Sequence, residues 1–391
     1  MQSHILFTNY IIAGVEASLA RVRAATYVVP EADRQQAWQI LSFAFKLEEA
    51  WPVTRALLLA LAPKMEMAGF REEWIPYLEK GIQCAQRVGD ELAVAECKLQ
   101  IGILYRLLSR FEEARQWLAE AISHFIEHGN VNGEARVLNE VAWLDHLIHR
   151  YQNATQHAEN ALALLTDNHS EKAMSYRIQG MIAFYQGNLQ EATSYHRKAL
   201  QIFKRKQEER RVAWSLQNLA IALQWQNQFE EAFDCYKKAI AHLTRLGDIS
   251  NLGIAQMNLG SAYYHSENSL EAVKYFTSAK TIAHKLNDRL QLARINTHFG
   301  LAYLSLESYG EAEKAFQTSI DYYLELKDYS WQLNAMDGLA MTYIKSQQYE
   351  KAVAILNQAI DILPRIVTVP NYEYLRGSLT KHLKEAEERR G

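Results

Sequence analysis

The chain has 391 residues, of which only 17 are Gly and 6 are Pro, about 4% and 2% against usual values near 7% and 5%. So few turn residues predict long helices and few tight turns, and a hydrophobic content of 49% excludes disorder as the main state. With 42 Lys+Arg against 45 Asp+Glu the net charge is −3, so neither nucleic acid nor an anionic membrane is expected as the principal partner.

Cys84, Cys97 and Cys235 are far apart and form no Cys-x-x-Cys pair. That spacing argues against a disulfide framework or a thiolate zinc site and for a reducing compartment. The longest unbroken apolar run covers residues 56–63, well short of the ~20 residues a membrane span needs. The first 25 residues include His4, Glu16, Arg21 and Arg23 and lack the pattern of a secretory signal. A soluble, cytoplasmic chain is the expectation.

From the N-terminus, residues 1–50 read as a helical segment. Trp38, Leu41 and Phe45 share one side of a helix expected over residues 31–50, in the phase of the second helix of a further, degenerate repeat. Residues 51–366 then carry eight copies of one pattern. An aromatic or aliphatic residue, two mostly polar residues and Ala recur, with the Ala at 114, 154, 192, 232, 272, 312 and 352 and with Ser269 in the aromatic's place in the copy ending at Ala272. The intervals are 40, 38, 40, 40, 40 and 40 residues. A second column of small residues runs Gly102, Ala142, Gly180, Ala220, Gly260, Gly300, Ala340, and a third runs Ala121, Ala161, Ala199, Ala239, Ala279, Ser319, Ala359. The first copy is worn, with Ala62 and Gly81 in two columns but Trp74 in the other.

Apolar residues around each column keep helical spacing, as in Leu252, Ala255, Leu259 and Ala262, then Ala272, Phe276, Ala279 and Ala283. Each copy is therefore expected to be two antiparallel helices. The small columns allow close approach, and Tyr263, Tyr303, Tyr343, Phe276 and Phe316 fill the space between. Gly89, Gly129, Gly247, Asn287 and Lys327 stand where the second helix should stop. At the C-terminus, residues 367–391 place Leu375, Leu379 and Leu383 in one narrow stripe, as a capping helix does.

The Gly/Ala, Ala and Ala columns, with Tyr, Phe or Leu between them, resemble the tetratricopeptide repeat (TPR). The 40-residue period with its Gly-Asp or Asn-Asp break is similar to a longer-repeat branch. That branch includes kinesin light chains, the LGN polarity adaptor, Rap-type bacterial peptide receptors and the sensor half of MalT-like signalling ATPases. The usual Pro after the last Ala is absent from all copies but the last, which has Pro364. The resemblance implies an all-α, right-handed α-solenoid superhelix whose first helices line a concave groove.

Mapped onto that pattern, the groove positions are held by Arg136, Asn139, Trp143, Arg177, Trp214, Asn218, Asn258, Tyr264, Arg294 and His298. Amides can pair with a peptide backbone, aromatics supply apolar area, and Arg can fork a carboxylate or phosphate. Asn218 and Asn258 are one repeat apart, as a ladder of asparagines would require. The carboxylate clamp of co-chaperone relatives is not expected, because Gln217 and Ile221 stand where Lys and Asn would be needed.

No catalytic motif is present: no G-x-S-x-G, P-loop, G-x-G-x-x-G or H-E-x-x-H. His124 with His128, and His146 with His149, could each share a helix face but lack a clear third ligand. No enzyme activity, metal or cofactor is expected. The sequence reads as an adaptor or sensor holding a protein or peptide segment in its groove, with terminal repeats available for self-association. The alternative is a ligand-sensing regulatory domain of a larger signalling ATPase or transcription regulator.

Overall fold

The computed structural model describes residues 2–25, 28–167, 169–367, 369 and 371–390. Among these there are 19 α-helices and no strand. The chain divides into two compact units, Met1–Ala222 with Arg245–Asp248, and Leu223–Thr244 with Ile249–Gly391. The first contains α1 (Gln2–Ala24), α2 (Glu31–Ala44), α3 (Trp51–Ala68), α4 (Arg71–Val88), α5 (Glu91–Leu107), α6 (Phe111–Glu127), α7 (Val131–Leu147), α8 (Tyr151–Leu164), α9 (Ser170–Tyr185) and α10 (Leu189–Arg205). Helices α11 (Glu209–Trp225) and α12 (Phe229–Leu246) cross the division. The second unit contains α13 (Ile249–His265), α14 (Ser269–Lys285), α15 (Arg289–Ser305), α16 (Tyr309–Glu325), α17 (Tyr329–Lys345), α18 (Tyr349–Ile362) and α19 (Tyr372–Arg390).

Within each unit the helices pack as consecutive antiparallel hairpins, the arrangement of an all-α repeat solenoid. The small columns are the sites of closest approach. A Cβ on Gly260 would stand 2.6 Å from Phe276 Cε1 and 3.2 Å from the Ala272 carbonyl, and one on Gly180 would stand 2.5 Å from the His196 ring. In the first unit α3 packs on α5, α5 on α7 and α7 on α9; in the second, α13 packs on α15 and α15 on α17. Among the described residues of each unit, successive even-numbered helices make no comparable contact. The odd-numbered helices therefore form the inner wall of each unit.

The turns follow one rule. After α5, Ser109 N–H bonds to Arg106 O and Arg110 N–H to Tyr105 O, with Ser109 left-handed at φ 59°. This is the Schellman termination, and it recurs at Gly89, Gly129, Asn287 and Lys327. It also recurs inside hairpins at His149, Glu267, Glu307 and Gln347. The next residue often caps the following helix: Asp90, Asn130, Asp288 and Asp328 each accept from a backbone N–H three residues on. The 38-residue interval has a local cause. Helix α8 has 14 residues, and its C-cap Leu165 is extended at ψ 145° instead of helical.

The N-terminal segment is helical, but α2 ends at Ala44, short of the helix expected over residues 31–50. Helix α1 begins at residue 2 and buries Ile11, Val15, Leu19 and Val22. Lys64 Nζ of α3 donates to the carbonyls of Val22 and Ala25, tying the end of α1 to the first hairpin. Over Ile5–Ala24 this helix is long and apolar enough to cross a membrane. Thr8, Asn9 and Glu16 interrupt its apolar residues, so no unbroken run marks it in the sequence. At the other end, α19 buries Leu375, Leu379 and Ala386. His382 Nδ1 lies 2.6 Å from Asp337 Oδ1 of α17, and Ser378 Oγ donates to Asp337 Oδ2 at 2.7 Å.

Candidate functional site

The inner wall of the first unit collects side chains from α5, α7, α9 and α11. Arg106 Nε donates to Glu140 Oε2 at 2.8 Å, Arg136 Nη1 to Glu96 Oε1 at 2.5 Å, and Arg211 Nη2 to Glu171 Oε1 at 3.3 Å. Each pair joins one odd helix to the next. Glu66 of α3 faces the same interior. Burial raises its carboxyl above the usual range, while Arg210 and Arg106 draw it down.

Asn139 is fully engaged. Its Nδ2 donates to Glu171 O at 2.9 Å, its Oδ1 accepts from Ser175 Oγ at 2.6 Å, and the residue is 2% exposed. It fastens α7 to α9 and offers no free hydrogen-bonding edge. Arg136 is half-buried in its ion pair with Glu96. Trp143 and Trp214 lie on either side of Arg177, whose Cζ is 4.7 Å from one ring centroid and 5.1 Å from the other. Burial, with Arg211 and Arg106 nearby, pushes the Arg177 guanidinium down to about 9. The buried Arg177 Nε, Trp214 Nε1 and Asn218 Nδ2 have no hydrogen-bond partner.

The second unit carries the other four candidates. Asn258 and Tyr264 are half-buried on α13, and burial raises the Tyr264 hydroxyl. Tyr264 meets His265 edge-on, with centroids 5.3 Å apart. Arg294 and His298 lie one turn apart on α15. His298 stacks on Phe276 at 5.3 Å and 17°. Burial, with His265 and Arg294 adding to it, pushes its imidazole down to about 4. Asn218 and Asn258 thus fall in different units.

The paired histidines have protein partners. His124 Nε2 lies 3.0 Å from Lys98 Nζ, and His149 Nδ1 lies 2.8 Å from Tyr151 Oη. His146 is enclosed by Trp143, Tyr151 and Tyr185. Among the described residues no group of three or more His, Cys, Asp or Glu could hold a metal ion. Sequence reasoning missed Arg210, Glu140 and Glu66. Opposite charges about one repeat apart, as in Arg106 with Glu140, were the available signal.

A family model described as tetratricopeptide repeat matches residues 171–245, 251–325 and 291–365, and a second such model matches residues 94–123. No curated protein matches the sequence. Solved structures share the fold at low identity. A signal transduction ATPase with numerous domains and a tetratricopeptide repeat sensor, from Pyrococcus horikoshii, aligns at 15% identity and TM-score 0.63. The alignment covers 93% of this chain and 54% of that one. A Rap protein complexed with competence and sporulation factor aligns at 15% identity and TM-score 0.57, covering 86% of this chain and 99% of that one. Aspartyl phosphate phosphatase F from Bacillus subtilis aligns at 15% and 0.55, covering 90% and 93%.

Proposed function

The chain belongs to the tetratricopeptide-repeat family, and from that premise we propose that it is a non-catalytic receptor holding a protein or peptide segment against its inner, odd-helix walls. Fold and family support a protein-binding or sensing role. The observation that carries the finer reading is the set of unfilled donors on the first unit's wall: Arg177 Nε, Trp214 Nε1 and Asn218 Nδ2. Buried N–H groups without acceptors are unfavourable, and a bound backbone or side chain supplies acceptors. The two indoles add apolar area. Asn258, Tyr264, Arg294 and His298 form the corresponding wall of the second unit. Residues 51–366 are taken as the eight repeats and 367–391 as their cap. Cys84 and Cys97, buried with free thiols, suit a cytoplasmic setting.

The test is capture from native lysate followed by mass spectrometry. Asn218→Ala with Asn258→Ala should weaken capture about 5- to 150-fold, with a nearly unchanged melting curve. Lys237→Ala with Lys274→Ala, both exposed on even helices, should capture normally. The opposite pattern would move the binding face to the outside.

A second reading is a ligand-sensing domain of a larger signalling ATPase or transcription regulator. It is favoured by the alignment of nearly the whole chain with only part of the archaeal ATPase. A P-loop or a DNA-binding helix encoded in the same gene would support it.

A further inference from the structure

Along the inner face of the first unit, guanidinium and indole groups alternate in the order Arg106, Trp143, Arg177, Trp214, Arg210. The Cζ-to-ring distances are 6.0, 4.7, 5.1 and 4.5 Å. The outer two cations are neutralised: Arg106 Nε by Glu140 and Arg210 Nε by Asp248, each at 2.8 Å. Arg211 beside them is held by Glu171 and Glu208. The central cation is not. Arg177 Nη1 donates to Met174 Sδ at 3.7 Å, its Nε has no acceptor, and no carboxylate among the described residues forms an ion pair with it.

A guanidinium held over indole rings uses its faces for them and leaves N–H groups at its edge for a partner. That edge matches a carboxylate, which lies in the same plane and accepts two parallel hydrogen bonds. A phosphate can meet the same edge but is tetrahedral and more highly charged, so it serves as a separate probe. Trp214 Nε1 is another unfilled donor of the ladder, and Asn218 Nδ2 follows one turn along α11. A desolvated cation with no carboxylate in contact is unfavourable in the free protein, and nearby Glu140 is already paired with Arg106, so an entering anion completes the slot.

We propose that this slot receives a carboxylate of the bound segment, gripped edge-on by Arg177 between Trp143 and Trp214. The proposal rests on the groove reading and adds the chemistry of one subsite.

The test uses the full chain and four probes at constant ionic strength. These are end-blocked octapeptide pools rich in Asp and Glu, matched end-blocked pools with Asn and Gln, the latter with a free C-terminus, and inorganic phosphate. Tryptophan emission and melting temperature are recorded for wild type, Arg177→Met, Arg177→Lys and the Asn218→Ala, Asn258→Ala protein. Met keeps the length of the side chain without the charge, so that variant should melt no lower than wild type. The expected result is that a carboxylate-bearing pool shifts the emission and raises the melting temperature. Its affinity should fall about 30-fold or more in Arg177→Met, with Lys restoring little. Response to the acidic blocked pool identifies a side-chain carboxylate; response to the free C-terminus identifies a terminal one. The proposal is overturned if phosphate alone acts, if no pool acts, or if Arg177→Met responds like wild type. Charge-independent binding lost only in the asparagine variant would remove the carboxylate and leave the groove. Binding untouched by every inner variant would remove both.

Discussion

The inner walls of the two units use one repeat and fill it in opposite ways. In the first unit the odd helices are cross-linked by part-buried charge: Arg106 to Glu140, Arg136 to Glu96, Arg211 to Glu171. In the second, α15 carries rings, with Phe299 on Tyr303 and His298 stacked on Phe276 of the neighbouring α14. Its Arg289–Glu325 pair lies among exposed side chains, while the part-buried pair of His382 with Asp337 ties α19 to α17. The small columns fix the hairpins and leave the wall positions free to diverge. One scaffold can therefore present a charged surface and an aromatic one.

The largest expected difference is in acid. His146 and His196, both in the first unit, are 5% and 1% exposed, and burial pushes their imidazoles down to about 4 and about 3. The unfolded chain takes up their protons first, so the stability they contribute is present above pH ~6.5 and is lost as pH falls. Between pH 7.5 and 5 each should remove about 2 kcal/mol. His382 in the second unit has the opposite sign, because Asp337 raises it. Its contribution is complete below the unfolded value and fades as pH rises through its folded value. Urea titrations at the two pH values, followed by tryptophan emission, test this. Trp38, Trp51, Trp74, Trp117, Trp143 and Trp214 report on the first unit. A midpoint that does not move in acid would contradict the buried, neutral histidines, and His196→Asn should flatten the pH dependence.

Next in size is packing in the second unit. Gly260→Leu drives a side chain into Phe276 and the Ala272 carbonyl and should destabilise by about 1–3 kcal/mol. A Cβ on Gly310 meets nothing within 4 Å, so Gly310→Leu should stay within about 0.5 kcal/mol. Equal losses in thermal melts would mean that the columns are misassigned.

The smallest effect separates the two kinds of ion pair. A double-mutant cycle on Arg106 and Glu140, whose side chains are 13% and 18% exposed, should give a coupling of about 1–2 kcal/mol. The Arg289–Glu325 pair, 57% and 53% exposed, should give less than about 0.5 kcal/mol. Similar couplings would remove the distinction between the walls.

The hairpins were legible because close approach demands small residues, and Gly102, Gly180 and Gly260 recur in one register. The turns were only half legible. Gly and Asn mark some, but Ser109, Glu267, Glu307 and Gln347 take the same left-handed geometry with no glycine or asparagine to announce it. Wall positions could be assigned from the register, yet their availability could not. Asn139 is consumed by Glu171 and Ser175, whereas Asn218 keeps an unfilled donor. That difference is set by neighbours one repeat away, about 32–40 residues along the chain. The membrane-length helix α1 was missed because polar residues interrupt its apolar run.

The claim that the odd-helix wall is the binding face is tested most directly by hydrogen–deuterium exchange of the chain with and without its captured partner. Binding there predicts added protection in α7, α9 and the part of α11 before Ala222, with α6, α8 and α10 unchanged. Protection confined to the even-numbered helices would contradict it.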